Sequence, residues 1–285
     1  MRHNKNKVRI AIKYVVLCIL AAAVMMPFIF MFTNSFMSSD EISTKYEEKD
    51  GYSQGMNFSL IPDKVSLQQY YKIFFRNPMY LRQFWNSVLL TFPTVVIQTM
   101  VAFLAAYAFA KIRFPGRDVI FVMILVLMLL PIQVTLVPNY MVMDFLNLID
   151  TYRGIIYVGI FAPFALFLLR QYLRYIPNHS IEAALIDGAG QFQTMMQIIL
   201  PQAKGGVAAV AILSFIDNWN MVEQPLLFLS ETSMHPLSVF MNQFISKNFG
   251  TAFTAGIIFM VPALIIFLLG EKYIILGLKM YRSNK

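Results

Sequence analysis

Two short stretches hold the residues best suited to chemistry in this chain. One is EAALIDGAG at 182–190, where Glu182 and Asp187 stand among small residues. The other is FIDNWNMVEQ at 215–224, where Asp217, Asn218, Asn220, Glu223 and Gln224 surround Trp219. Neither makes a convincing acid/base pair, because Asp217 and Glu223 are six apart and do not share a helix face. His3, His179 and His235 are scattered, and the lone Cys18 excludes an internal disulfide. No ligand cluster suggests a metal, and no GxxxxGK[ST] loop cradles a phosphate. The sequence therefore predicts no catalytic set, no cofactor and no metal in this chain.

Recognition is the chemistry that remains. On a helix, Asp217, Asn220 and Gln224 share one stripe, and Trp219 and Glu223 form a neighbouring one. Carboxylates inside a membrane span are costly unless they face water, a cavity or a partner. Asp217, Asn218, Trp219, Asn220 and Glu223 are therefore candidates for the wall of a solute path. Polar groups would fix hydroxyls and the indole would pack on the apolar face of a sugar. The plainer reading is that the patch glues helices together. Gln98 and Gln133 are weaker candidates that could simply pair across a bundle.

Helix rules give EAALIDGAG a shape. Pro177 and Asn178 break the preceding helix, Ser180 can cap a new one, and Glu182 falls in its first turn, where acid is favourable. Ile181, Ala184 and Leu185 form a narrow apolar stripe, and Gly188 ends the helix. A second helix restarts over 191–200, and Pro201 stops or bends it. Small alanines admit another protein closely, and the carboxylates can anchor it. An ordinary re-entrant loop is the bland alternative.

These stretches must be held by a membrane scaffold. The 285 residues are 58% hydrophobic and only 13% charged, against about a quarter charged in a soluble domain. Apolar runs long enough to span predict an all-α membrane protein with six helices, near 14–36, 86–110, 119–141, 154–172, 206–229 and 249–270. Residues 1–13 are a basic N-terminal segment, 37–82 an outer loop or cap, 83–270 a core of spans two to six with a polar connection at 173–204, and 271–285 a tail. The basic start and Ala21–Ala23 resemble a signal peptide, but the apolar run continues past the alanines. With the N-terminus inside, inner segments hold 15 of the 23 Lys and Arg, which favours N-in/C-in and puts 182–190 in the cytoplasm. The net charge of +8 flanks the spans rather than forming a nucleic-acid patch.

EAALIDGAG followed by IILP at 198–201 resembles the EAA loop of ABC importer permeases, with Glu182, Ala183, Ala184, Asp187, Gly188 and Ala189 matching its head and Ile198 and Pro201 its end. RQFWNS at 82–87, AAYAFAKIRFPGR at 105–117, LIDTY at 148–152 and FIDNWN at 215–220 extend the resemblance to the carbohydrate branch, close to the maltose-transporter inner-membrane permease type. The resemblance implies the type I ABC importer permease fold and a multi-pass place in a bacterial inner or plasma membrane. It implies a homologous second permease, a pair of cytoplasmic ABC ATPase domains carrying ATP and magnesium, and an external solute-binding protein. The cargo would be a neutral sugar or oligosaccharide. Glu182, Ala183, Ala184, Asp187, Gly188, Ala189 and Pro201 would couple the chain to the ATPase.

Three departures stand out. Met195 replaces an aromatic common in relatives, Gly205 replaces a proline, and the tail keeps Gly277 without the usual Gly-Ala-Lys-Gly ending. Other readings are the same machine carrying glycerol 3-phosphate, an intramembrane enzyme or a membrane scaffold. An anion should want basic residues in the path, and spans two to six offer none well inside.

Overall fold

The computed structural model describes residues 2–46, 59, 61–241 and 249–283. Glu47, Glu48 and Asp50 of the expected cap lie outside the described residues. Regular structure among the described residues is helical, apart from an isolated antiparallel bridge between Met37 and Val65. Five runs are long and apolar enough to cross a membrane: Ile12–Asn34, Pro78–Lys111, Tyr152–Arg174, Gln191–Trp219 and Thr251–Tyr273. A pair, Arg117–Met128 and Ile132–Phe145, is bent by 105° and makes a sixth crossing if counted as one span.

The chain divides into two compact units. The first comprises residues 1–81 and 241–260. It holds α1 (Arg2–Asn34), α2 (Ser39–Tyr46), α3 (Gln68–Tyr71) and a π turn at Lys72–Arg76. Buried polar groups are paired here, as a low-dielectric interior requires. Asn34 Nδ2 donates to Phe30 O at 2.8 Å and Ser59 O at 3.1 Å, while Tyr46 OH donates to Asn34 Oδ1 at 3.1 Å. Thr254 Oγ1 lies 3.0 Å from both Ser35 O and Gln69 Oε1. Lys45 bridges Glu41 and Asp63 at 2.6 and 2.9 Å.

The second unit comprises residues 82–240 and 261–285. Most of α4 (Pro78–Lys111) belongs to it, followed by α5 (Arg117–Met128), α6 (Ile132–Phe145), α7 (Tyr152–Ile160) and α8 (Pro163–Arg174). Then come α9 (His179–Ile186), α10 (Gln191–Thr194), a π turn at Met195–Ile199, α11 (Leu200–Trp219) and α12 (Glu223–Phe228). The long α13 (Phe249–Ser283), whose residues from 261 onward belong to this unit, continues into the expected tail.

Lipid tails are as apolar as leucine, so helices in a bilayer associate through close packing and interhelical polar contacts. The main core does this. Phe103, Ala106, Tyr107 and Phe109 of α4 meet Leu166, Leu169 and Leu173 of α8 and Ala203 and Val210 of α11. Gly206 lets α11 approach α8 so closely that a Cβ there would lie 2.5 Å from the Tyr172 ring. Gly205 is buried inside the uninterrupted α11, so the glycine in place of proline leaves no loose entrance to this span. Buried Arg170 sits 3.7 Å over the Phe121 ring, a cation–π contact, and lies 3.8 Å from Asp118.

Prolines set the breaks. Pro131 lies at the bend between α5 and α6, whereas Pro138 is absorbed inside α6. The span expected near 119–141 is therefore broken in its middle rather than continuous. Ala162, the residue before Pro163, is extended and separates α7 from α8, as the steric restriction before proline favours.

Candidate functional site

The polar stretch at 215–224 is not one helix. α11 ends at Trp219, Asn220 caps it, and α12 begins at Glu223. Pro225 explains the gap: it has no N–H to offer the carbonyl four residues back, that of Met221, and its ring would clash there. Ser238 Oγ donates to the Met221 carbonyl instead. Asn220 turns its side chain back on the helix end, with Nδ2 donating to Ile216 O at 2.8 Å. The continuous stripes of Asp217, Asn220 and Gln224, and of Trp219 and Glu223, are thus replaced by a helix end, a bend and a helix start.

This broken geometry makes the wall of an open cavity of about 430 Å³. Asp217, Asn218, Asn220, Glu223 and Gln224 line it, opposite Gln98 of α4, Ile132 of α6 and the chain around Gly159 to Ala162. Two polar pairs tie the wall together. Asn218 Nδ2 donates to Gln98 Oε1 at 2.9 Å, and Gln133 Nε2 donates to Glu223 Oε1 at 2.8 Å. The lining carries two carboxylates and several amides, and no Lys or Arg among the described residues. No group of three or more His, Cys, Asp or Glu converges among the described residues as a metal site would need.

Trp219 departs from its expected place on the path. It is 1% exposed, stacks on Phe215 with ring centroids 5.5 Å apart and meets Phe84 edge-on at 5.8 Å. The indole belongs to the bundle interior, because Phe215 lies one turn earlier on the same face. Sequence reading also understated Gln98 and Gln133. Amides inside apolar runs were the available signal, and their partners 120 and 90 residues away were not legible.

At the other end of α11 lies the 182–190 segment. The helix around it starts at His179, with Asn178 at the cap position and no side-chain cap bond, so Ser180 is not the cap. Glu182 is in the first turn. Gly188 adopts φ +82°, the left-handed conformation that favours glycine. Its N–H donates to Leu185 O at 3.1 Å, and Ala189 N–H donates to Ala184 O at 2.9 Å. This pair of bonds is the Schellman arrangement for closing a helix. Of the expected apolar stripe, Ile181 and Ala184 are buried while Leu185 points outward. Glu182, Ala183 and Asp187 are also exposed, and Ala189 is half-buried. Ile186, at 85% exposure, and Phe192, at 68%, add apolar surface that sequence reading did not single out.

Pro201 does not stop the second helix. It occupies the first turn of α11, where a proline is tolerated. The π turn at 195–199 joins α10 to α11, so the helical run Gln191–Trp219 is unbroken. Met195 fills the core in the position where an aromatic residue is common, as an adaptable thioether side chain can. One run of helix therefore begins beside α9 and ends at the cavity.

Residues 98–275 match the family described as binding-protein-dependent transport system inner membrane component. The chain belongs to that family. This inner membrane component is 31% identical over 227 residues to the arabinooligosaccharides transport system permease protein AraQ of Bacillus subtilis (strain 168), covering 79% of this chain and 81% of AraQ. It is also 31% identical over 202 residues to the sn-glycerol-3-phosphate transport system permease protein UgpE of Brucella abortus (strain 2308), covering 69% and 72% of the two chains. A solved bacterial ABC transporter involved in import of the acidic polysaccharide alginate contains a chain of the same fold, with TM-score 0.81, 23% identity and coverage of 95% and 98%. Family membership and the apolar helices make this inner membrane component a multi-pass protein of the bacterial plasma membrane, with the type I importer permease fold.

Proposed function

We propose that this chain forms half of the membrane path of an ABC importer for a neutral sugar or oligosaccharide. The observation that carries the choice of cargo is the cavity wall. Gln98, Asp217, Asn218, Asn220, Glu223 and Gln224 offer acceptors and amide donors to hydroxyls. Two carboxylates with no Lys or Arg among the described lining residues would repel an anion, which disfavours the glycerol 3-phosphate reading that similarity to UgpE raises. Similarity to AraQ supports an oligosaccharide.

The chain itself would break no bond. ATP and magnesium would sit on a pair of partner ATPases, a homologous permease would complete the path, and an external binding protein would deliver the sugar. With both termini inside, α9 faces the cytoplasm. Glu182, Ala183, Leu185, Ile186 and Asp187 would then present a small mixed polar and apolar face to an ATPase groove. Ala184, Gly188, Ala189 and Pro201 would shape the helix, its closure and its continuation into α11. ATP-driven closure of the ATPases would move α9, and the run Gln191–Trp219 would carry that movement to the cavity, about 40 Å away along the helix.

Mild extraction of the tagged chain tests the assembly and competition tests the cargo. A second permease and an ATPase should co-purify. Excess glycerol 3-phosphate should leave uptake of a labelled arabino-oligosaccharide unchanged. A chain that purifies alone, or uptake abolished by glycerol 3-phosphate, would contradict the proposal.

A further inference from the structure

The inner end of α4 grips the chain on both sides of α9. Lys111 ends α4, and its ammonium donates to the Ile176 carbonyl and, at 2.9 Å, to Asn178 Oδ1. Those acceptors immediately precede α9. One turn earlier on the same face of α4, Tyr107 OH donates at 3.2 Å to Gln191 Oε1. Gln191 opens α10, just past the turn that follows α9. Tyr107 is buried in the main core, so its hydroxyl is carried on a fixed ring.

The same helix reaches the cavity. Gln98 accepts from Asn218 there, and it lies about 20 Å along the α4 axis from Lys111. The run Gln191–Trp219 is thus tied to α4 near both of its own ends, by Tyr107 to Gln191 and by Gln98, in the middle of α4, to Asn218. Without the ties near α9, that helix could swing on Pro177 at one root and on the Gly188–Gly190 turn at the other. A charge-assisted bond from Lys111 opposes that swing better than a neutral contact would.

We infer that Lys111 and Tyr107 are positioning residues that make α4 move together with α9, so that displacement of α9 reaches the cavity through two helices. The inference rests on the reading of α9 as the contact with the ATPase. It assigns a role to two residues outside both the 182–190 segment and the cavity wall.

The test uses the complete transporter with Cys18→Ser and nitroxide labels at His179→Cys, at the start of α9 and outside the face assigned to the ATPase, and at Leu89→Cys on α4, both exposed positions. The distance between labels is measured without nucleotide and after trapping with MgATP and vanadate. With Lys111 and Tyr107 present, the distance should change by no more than about 2 Å, the scale of a concerted helix shift. In the Lys111→Met, Tyr107→Phe double variant it should change by about 5 Å or more, the scale of one element slipping past another. Uptake of a labelled arabino-oligosaccharide per ATP hydrolysed should fall about tenfold in that variant, the bias a charged hydrogen bond supplies. Lys111→Arg should restore both readouts, which mere loop stabilisation by a methionine-sized side chain would not explain. A double variant that behaves like the parent overturns the inference. So does a parent whose label distance already shifts by about 5 Å. A single label at His179 separates the two claims. If its mobility is the same with and without the ATPase, the docking reading fails; if it responds while the double variant matches the parent, only the positioning role fails.

Discussion

The closure at Gly188 offers a graded test of the 182–190 segment. Gly188 has φ +82°, and apart from its chain neighbours no heavy atom of the described residues lies within 4 Å of where a Cβ would stand. Replacing it therefore adds backbone strain without a clash. Holding an ordinary L residue in the left-handed region costs about 1–2 kcal/mol, which is roughly a 5- to 30-fold bias against the turn. Gly188→Ala keeps the N–H that reaches Leu185 O and should bear that cost alone. Gly188→Asn should lie near the parent, because asparagine tolerates this conformation. Gly188→Pro cannot adopt the positive φ and has no N–H, so it should open the closure. The turn lies outside the apolar runs, and all three variants should insert normally. Uptake and ATP hydrolysis measured in the same proteoliposomes should give sugar moved per ATP in the order Gly and Asn, then Ala, then Pro. Normal uptake by Gly188→Pro at normal expression would refute the reasoning. Equal damage from Asn and Pro would also refute it, because side-chain bulk rather than backbone conformation would then be the cause.

Other perturbations probe the scaffold and the cavity. Gln98→Leu leaves the Asn218 amide without its 2.9 Å acceptor across the helices; with about 1–3 kcal/mol at stake, apparent sugar affinity should fall about tenfold or more, and Gln98→Leu with Asn218→Leu should be less than additive in transport assays. Gly206→Val would drive a side chain into the Tyr172 ring and should lower stability by about 1–3 kcal/mol, read as a lower thermal midpoint of the purified complex. The Lys45 ammonium, through its hydrogen bond and its charge, holds the Asp63 carboxyl below the usual carboxylate range. That contribution is present above the unfolded carboxyl value of about 3.9 and is lost as pH falls through the lower folded value. Hydrogen bonds and charge from Glu41 and Asp63 raise Lys45, so its contribution is present below about 10.4 and is lost as pH rises through the higher folded value. Amide exchange across 61–66, corrected for intrinsic rates, should show protection that is steady between these limits and declines outside them.

Local rules made several features legible. The left-handed glycine at 188 follows from the small-residue turn after an apolar stripe, and apolar runs located the crossings. Their ends were harder to read. α4 begins at Pro78 rather than near 86, because the mixed residues of PMYLRQFWNS end the apolar run before the helix ends. The break at 220–222 was signalled by Pro225 but hidden by the polar residues around it, which suit a helical stripe equally well. Trp219 looked like a sugar platform because Phe84, which helps bury it, lies far away in sequence. Asn178 rather than Ser180 takes the cap position, and its side-chain oxygen is occupied by Lys111 from another helix. A contact spanning 67 residues leaves no local pattern.

The central claim is that this chain moves a neutral sugar with energy supplied by another chain. Its most direct test is uptake of labelled neutral oligosaccharides into vesicles bearing the assembled complex, with the binding protein outside and ATP enclosed. The account predicts accumulation that requires enclosed ATP and disappears when the partner ATPase is inactivated while this chain is left intact. ATP-independent accumulation to the same level, or ATP-driven accumulation of glycerol 3-phosphate with the neutral sugars excluded, would contradict it.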